Sequence, residues 1–111
     1  MSVYRGVPDH RIVRAINALH VQPTLSVRDL ASMLGVSTSR FQHLFKTQMG
    51  TSVTLYSREV RLQRALELLD ATWLSIKQVR NDAGIPNASN FTRDFRNRFG
   101  ITPSEYRSRA A

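Results

Sequence analysis

The fold of this chain is constrained most strongly by an apolar pattern that occurs twice, about fifty residues apart. Each copy has three apolar residues at four-residue spacing followed directly by a glycine: Phe41, Phe45, Met49 and Gly50, then Phe91, Phe95, Phe99 and Gly100. Apolar side chains spaced in this way lie on one face of an α-helix, and glycine is common just after a helix end. The repeat therefore predicts two copies of one small helical binding unit.

Composition narrows the class of protein. With 111 residues, of which 41% are apolar and 22% charged, the chain is typical of a folded globular protein. No run approaches the roughly 18 apolar residues of a membrane span, and the N-terminus lacks the apolar core of a signal peptide. The absence of cysteine excludes disulfides and thiolate metal sites. We therefore expect a cytoplasmic protein with no membrane contact.

The charge of the chain is strongly positive. Its net charge is +8, and all sixteen basic residues except Lys46 and Lys77 are arginines. The planar guanidinium matches phosphate oxygens and the edge of guanine better than a lysine ammonium does. An excess of basic residues of this kind favours nucleic acid as the partner, although in many small basic proteins the charge serves only solubility.

Start signals divide the chain into about seven helices. Each predicted helix is preceded by a side chain that commonly caps a helix N-terminus: Asp9, Ser26, Ser37, Ser52, Ser75, Asn87 and Thr102. Asp29, Gln78 and Glu105 each stand three residues after a cap, as in a capping box. No run has the two-residue period of a strand. The sequence predicts an all-α fold.

The helices group into two helix-turn-helix subdomains, residues 9–50 and 72–109, joined by a long linker helix over residues 52–71. In each subdomain a short helix and a longer one are joined by a turn that contains Gly35 or Gly84. In a helix-turn-helix the second helix can enter the DNA major groove. Short helix pairs joined at glycine also occur in plain bundles, but two such pairs in a basic chain favour DNA binding.

Several stretches resemble the DNA-binding domain of AraC/XylS-type transcription regulators. Residues 30–37 (LASMLGVS) resemble the first helix-turn-helix of that family, and residues 61–69 (RLQRALELL) resemble its linker helix. The most specific stretches, NFTRDFR at 90–96 and FGITPSEYR at 99–107, are similar to the family's C-terminal motif. The resemblance covers roughly residues 10–108 and implies a sequence-specific regulator that binds double-stranded DNA.

The third and sixth helices are the recognition helices that the resemblance implies. Glutamine can pair with adenine, and arginine with guanine, through two hydrogen bonds in the major groove. The resemblance implies base contacts from Ser39, Gln42, His43 and Arg93, and phosphate contacts from Arg40 and Lys46. From their place on the outward face of the sixth helix, we also expect Ser89 and Asn90 to contact bases and Thr92 and Arg96 to contact phosphates. The alternative for each residue is an ordinary solvated position on a helix surface.

The linker helix suggests how one chain can use both recognition helices. Eighteen residues of α-helix span roughly 27 Å, and successive major-groove segments on one side of B-DNA recur about every 34 Å. We therefore expect the two recognition helices to enter adjacent major-groove segments of one asymmetric site. The alternative is that one unit contacts bases and the other only anchors the protein on phosphates.

Three features of the second subdomain depart from the family pattern. Arg80 stands where a small alanine is usual, Pro86 lies in the turn before the sixth helix, and Asn81 and Asp82 make this unit more polar. One outcome of these departures is a second unit that docks on phosphates more than it contacts bases. Trp73, in the connection after the linker helix, is expected to pack into the core.

The remaining features favour no second kind of site. His10, His20 and His43 lie too far apart for a metal site, and no phosphate loop, carboxylate pair or nucleophile with a base is visible, so we expect neither an enzyme nor a cofactor. No segment provides a small-molecule effector site. The linker arginines are expected to form a solvated face or, alternatively, a contact for RNA polymerase: Arg58, Arg61 and Arg64. The alternative function is a basic helical module that binds an acidic protein.

Overall fold

The computed structural model describes residues 9–110, and these residues form seven α-helices and no strand. The helices are α1 (His10–Val21), α2 (Val27–Met33), α3 (Thr38–Met49), α4 (Val53–Ala71), α5 (Ile76–Asp82), α6 (Ala88–Phe99) and α7 (Pro103–Ala110). The all-α prediction, with two helix-turn-helix pairs joined by a long helix, is confirmed. Within the described part of the chain, no helix has the length and apolar character needed to cross a membrane.

The predicted N-terminal caps are present because each capping oxygen accepts a backbone N–H of the first helical turn. Ser26 and Ser75 form complete capping boxes with Asp29 and Gln78. The caps of α1, α3, α4, α6 and α7 are Asp9, Ser37, Ser52, Asn87 and Thr102. Local sequence thus determines where the helices begin, since the first amides of a helix have no partner within it.

The chain divides into two compact units, and the division falls inside α4, between Val60 and Arg61. The first unit has a core made by α1, α2, α3 and the start of α4: Ile12, Ala15, Leu19, Leu30, Ala31, Phe41, Phe45 and Val53. Tyr56 of α4 packs its ring on Phe45 at 5.5 Å between centroids, and its hydroxyl lies 3.1 Å from His20 Nε2. These contacts fix the start of α4 against both α3 and α1.

The second unit has its own core, from the later turns of α4 together with α5 and α6: Leu62, Ala65, Leu68, Leu69, Val79, Ala83, Phe91 and Phe95. Helix α7 closes this core through polar contacts with the end of α4. The Tyr106 hydroxyl donates to Asp70 Oδ1 at 2.8 Å, and Arg107 donates to the Leu69 and Leu74 carbonyls. A cation at this place also suits the negative end of the α4 dipole.

The expectation that Trp73 packs into the core is wrong, because its side chain is 98% exposed. Its neighbour Leu74 packs against the second core instead. Thr72 donates to the Leu68 carbonyl and accepts from the Leu74 amide, so the connection after α4 has a defined course. That course turns Leu74 inward and leaves Trp73 outside.

The expected solvated face of arginines on α4 is only partly present. Arg58 and Arg64 are exposed, whereas Arg61 is half-buried and burial lowers its pKa. Each three-residue step rotates the side chain by about 60° around a helix, so Arg58 and Arg64 lie about 120° apart. Arg64 Nη2 lies 3.7 Å from Asp82 Oδ2 of α5, within the second unit.

Candidate nucleic-acid interface

The turn between α2 and α3 is held by backbone hydrogen bonds. Gly35 has a φ of 70°, in the left-handed region that glycine adopts without strain. The amide of Val36 donates to the Ala31 carbonyl at 3.1 Å, and Ser37 then caps α3. The chain thereby leaves α2 and enters α3 within four residues, which sets the direction of α3.

The turn between α5 and α6 repeats this geometry with one additional residue. Gly84 has a φ of 80°, and the Ile85 amide donates to the Arg80 carbonyl at 3.0 Å. Pro86 lies between Ile85 and the cap Asn87, and the Arg80 Nη1 group donates to the carbonyls of both Ile85 and Pro86, at 3.0 and 2.7 Å. Two of the departures from the family pattern, Arg80 and Pro86, are therefore joined in one hydrogen-bonded turn.

The inner face of α3 is a buried pair of phenylalanines. Phe41 and Phe45 have no exposed surface, and their rings pack edge to face with centroids 6.0 Å apart. Because this face is fixed in the core, the opposite face of α3 must point outward. Each residue predicted to contact DNA from α3 is exposed: Ser39, Arg40, Gln42, His43 and Lys46.

A shallow depression of about 400 Å³ lies beside the exposed face of α3. Gln42, His43 and Lys46 line it from α3, together with Thr47 one turn further along. The opposite side is the beginning of α4, where Ser52, Val53 and Thr54 line it. Three of the five predicted contact residues of this unit thus border one concave surface.

Helix α6 has the same two-faced arrangement. Phe91 and Phe95 are buried, with ring centroids 5.7 Å apart, and Phe95 also packs on Phe99 and Tyr106. The outward face carries all five residues predicted to contact DNA from α6, and each is exposed: Ser89, Asn90, Thr92, Arg93 and Arg96. A depression of about 520 Å³ is bordered by four of them and by Asn97.

Two side chains on this face already have hydrogen bonds within α6. The Thr92 hydroxyl donates to the Ala88 carbonyl at 3.1 Å, so it must leave that partner before it can donate to a phosphate. Arg93 Nε donates to Asp94 Oδ1 at 3.3 Å. The Arg93 side chain is nevertheless 63% exposed, so its guanidinium is accessible to a ligand.

Sequence reasoning missed Thr47 and Thr54 and did not select Asn97. Thr47 follows His43 by four residues, and Asn97 follows Arg93 by four, so each lies on the same helix face one turn later. That spacing was available as a signal for both residues. Thr54 has no such signal, because it borders the depression only through the packing of α4 beside α3.

No group of three metal-ligating side chains is present within residues 9–110. His20 instead lies against Tyr56, and His43 is on the exposed face of α3. Ser37 and Asn87 cap the starts of α3 and α6, and the outward face of each helix carries two basic side chains: Arg40 and Lys46 on α3, and Arg93 and Arg96 on α6. Both faces therefore offer hydrogen-bond donors that can bind acidic groups and base edges.

Comparison with known proteins gives matches over most of the chain. A family profile described as a helix-turn-helix domain matches residues 30–109. The HTH-type transcriptional regulator CdhR of Pseudomonas aeruginosa is 30% identical over 105 residues, which is 93% of this chain and 31% of CdhR. The chain spans about a third of the length of the curated relatives that it matches.

Solved structures share the fold. A transcriptional regulator from Chromobacterium violaceum, of the class described as AraC-type DNA-binding domain-containing proteins, is 35% identical with a TM-score of 0.77, covering 91% of this chain and 92% of that one. The DNA-binding domain of AdpA, crystallised with a target DNA, has a TM-score of 0.81 at 19% identity, covering 91% and 93%. At that identity the AdpA domain shows a shared fold alone.

Proposed function

This chain belongs to the AraC/XylS family of helix-turn-helix transcription regulators, and on that premise we propose that it binds double-stranded DNA in a sequence-specific manner through both α3 and α6. Each helix enters a major-groove segment of the same duplex with its outward face. The principal base contacts, Gln42, His43 and Arg93, come from the second turn of each helix, and Lys46 and Arg96 contact phosphates from the turn that follows.

The observation that carries this proposal is the correspondence between the two units. In each unit a Gly turn and an N-cap precede a helix of twelve residues, whose buried phenylalanines turn a polar face outward. That face borders a depression of about 400 Å³ in one unit and about 520 Å³ in the other. A single exposed polar helix is common in any protein, but two with the same register favour one shared task.

The proposed roles follow from the chemistry of each side chain. In the first unit Gln42 and His43 offer donors and acceptors for base edges, while Arg40 and Lys46 offer charge to phosphates. Ser39 contributes a hydroxyl to base edges in the same unit.

In the second unit Arg93 is the principal base contact, supported by Ser89 and Asn90. Arg96 and Thr92 contact phosphates. The Thr92 contact is the weaker of the two, because its hydroxyl must exchange one acceptor for another.

The experiment that tests this function compares two duplexes of equal length and base composition. One contains a site selected from a random pool by the wild-type protein, and the other contains the same bases in shuffled order. We expect the selected duplex to bind at least about a thousandfold more tightly, at the lower end of the range of about 10³–10⁷ for specific DNA-binding proteins. Equal affinity for both duplexes would contradict the proposal and favour the acidic-protein module instead.

A contact between α4 and RNA polymerase stays a prediction. Of the three arginines expected to form that surface, Arg61 is half-buried and Arg64 lies near Asp82. Arg58 is exposed, so we expect it to be the arginine of this set that contacts the polymerase. An Arg58→Ala protein that binds DNA normally but fails to activate or repress transcription in vitro would support it.

A further inference from the structure

The two recognition helices carry different kinds of side chain at one half-buried position. If Phe41 and Phe45 are aligned with Phe91 and Phe95, Leu44 of α3 corresponds to Asp94 of α6. Leu44 is half-buried and packs against the first core. Asp94 occupies the same register with its side chain only 24% exposed. The second unit therefore has a carboxylate where the first has an apolar side chain.

The Asp94 carboxylate is directed at the neighbouring arginine. Its Oδ1 accepts a hydrogen bond from Arg93 Nε at 3.3 Å. A guanidinium can contact guanine O6 and N7 either with its two terminal nitrogens or with Nε and one terminal nitrogen. Because Asp94 occupies Nε, the second mode is blocked and the two terminal nitrogens stay available.

We propose that Asp94 is a positioning residue that restricts Arg93 to end-on contact with guanine, so that the second unit discriminates guanine at one position of the site. The proposal rests on the proposed function, since it assumes that α6 contacts bases. It goes further by naming the base and the residue that enforces the choice.

The hydrogen bond and the charge of Asp94 have separate effects, because the first restricts Arg93 and the second lowers affinity. A carboxylate close to DNA repels the phosphates, so Asp94 weakens binding to every duplex. An exposed ion pair contributes little in water, but in a desolvated groove the same pair restrains the arginine more strongly. Because the repulsion is the same for every duplex, the preference for guanine comes from the restraint on Arg93 and not from the charge itself.

The test uses three substitutions and a matched control. Asp94→Leu installs the residue that the fold already accepts at Leu44 in the other unit, so folding is expected to be retained. Asp94→Asn keeps an acceptor oxygen while it removes the charge. Asp94→Ala removes both. Asp82→Ala is the control, because it removes one carboxylate from the exposed surface of the same unit.

Base preference is measured by binding to duplexes that vary only at the position whose preference Arg93→Ala abolishes. We expect Asp94→Leu and Asp94→Ala to reduce the preference for guanine by about fivefold and to raise affinity for unrelated duplexes by about twofold. Asp94→Asn should retain most of the preference, and Asp82→Ala should retain all of it.

Three results would overturn the proposal. One is an unchanged guanine preference in Asp94→Leu and Asp94→Ala. Another is a loss of guanine preference in Asp82→Ala as large as that in the Asp94 variants, which would show that removal of any nearby negative charge has the same effect. The third is a wild-type preference for a base other than guanine at the position that depends on Arg93.

A measurement on the free protein separates this proposal from the proposed function. Nuclear magnetic resonance can follow the exchange of the Arg93 Nε–H with solvent, with the Arg96 Nε–H as an internal reference. We expect the Arg93 proton to exchange more slowly than that of Arg96 in the wild type and at the same rate in Asp94→Leu. Equal rates in the wild type would refute the positioning role, whatever the DNA measurements show.

Discussion

Arg93 and Lys46 represent the two kinds of contact proposed at the scale of single residues. Arg93 lies in the second turn of α6 and is predicted to contact a base, whereas Lys46 lies in the third turn of α3 and is predicted to contact a phosphate. We expect Arg93→Ala to weaken binding to the selected site by about 1–3 kcal/mol and to relax the preference at one base pair.

Lys46→Ala should behave differently. Because a phosphate contact is independent of sequence, this variant should weaken all duplexes alike and reduce the slope of log affinity against log salt concentration by about one unit. Titrations of both variants with selected and shuffled duplexes at several salt concentrations measure the difference. Identical behaviour of the two variants would show that the division of roles is wrong.

A second prediction at this scale concerns acid. In the capping box of α7, Glu105 accepts from the Thr102 amide at 2.9 Å, and this hydrogen bond holds the pKa of Glu105 below its ordinary value of 4.5. A carboxyl with a lowered folded-state pKa stabilises the fold fully above its unfolded-state value and loses that contribution as pH falls through the folded-state value. The contribution should therefore disappear as pH falls below about 4.5.

Glu105→Gln isolates this effect, because the amide keeps an acceptor but does not titrate. The wild-type protein should be more stable than the variant at pH 7, and the difference should shrink as pH is lowered through the acid range. Thermal melting of both proteins over that range measures it, and the other carboxyl groups cancel because both proteins have them. A difference that stays constant with pH would contradict the assignment.

At the scale of elements, Arg80 is predicted to hold the start of α6. Its Nη1 group donates to the two carbonyls that precede the cap Asn87. A well-formed hydrogen bond from a charged donor contributes about 1.5–3 kcal/mol to stability. Because the Arg80 hydrogen bonds are partly exposed to solvent, we expect their contribution to lie near or below the lower figure. We expect Arg80→Ala to loosen the first turn of α6 while α3 is unaffected.

Amide hydrogen exchange measures this loosening. The amides of Asn90 and Phe91, which donate to Asn87, should exchange faster in Arg80→Ala. The amides of Arg40 and Phe41, which donate to Ser37, provide the matched reference in the first unit. Lys77→Ala is the control for loss of one positive charge from α5. Unchanged exchange at Asn90 and Phe91 would exclude a positioning role for Arg80.

The bounds and caps of the elements were predictable from sequence because their causes are local. A capping side chain acts on amides two or three residues away, and a glycine after a helix acts on its own φ. Trp73 was not predictable in this way, because whether it or Leu74 enters the core depends on the course of a connection held by Thr72 and Arg107. The same holds for Arg80, whose acceptors lie across a turn.

The outward faces of α3 and α6 were predictable for a related reason. Once the phenylalanine period fixes the buried side of a helix, geometry assigns the opposite side. What the sequence did not reveal is which outward residues already have partners. The hydrogen bonds of Thr92 with Ala88 and of Arg93 with Asp94 depend on side-chain conformations, and they change the donors that each residue can offer to DNA.

At the scale of the whole molecule, the two units are covalently joined by α4, which contributes to both cores. The central claim is that both units contact bases on one duplex. If it is correct, each unit specifies its own part of the site, and damage to one face should leave the other part of the preference intact.

The most direct measurement is selection of bound duplexes from a random pool by three proteins: the wild type, a Gln42→Ala and His43→Ala double variant, and Arg93→Ala. The account predicts that the wild type selects two separate blocks of preferred bases. The double variant should lose one block and Arg93→Ala should lose preference within the other. A single block in the wild-type selection, or loss of the same block in both variants, would contradict the claim that both helices contact bases.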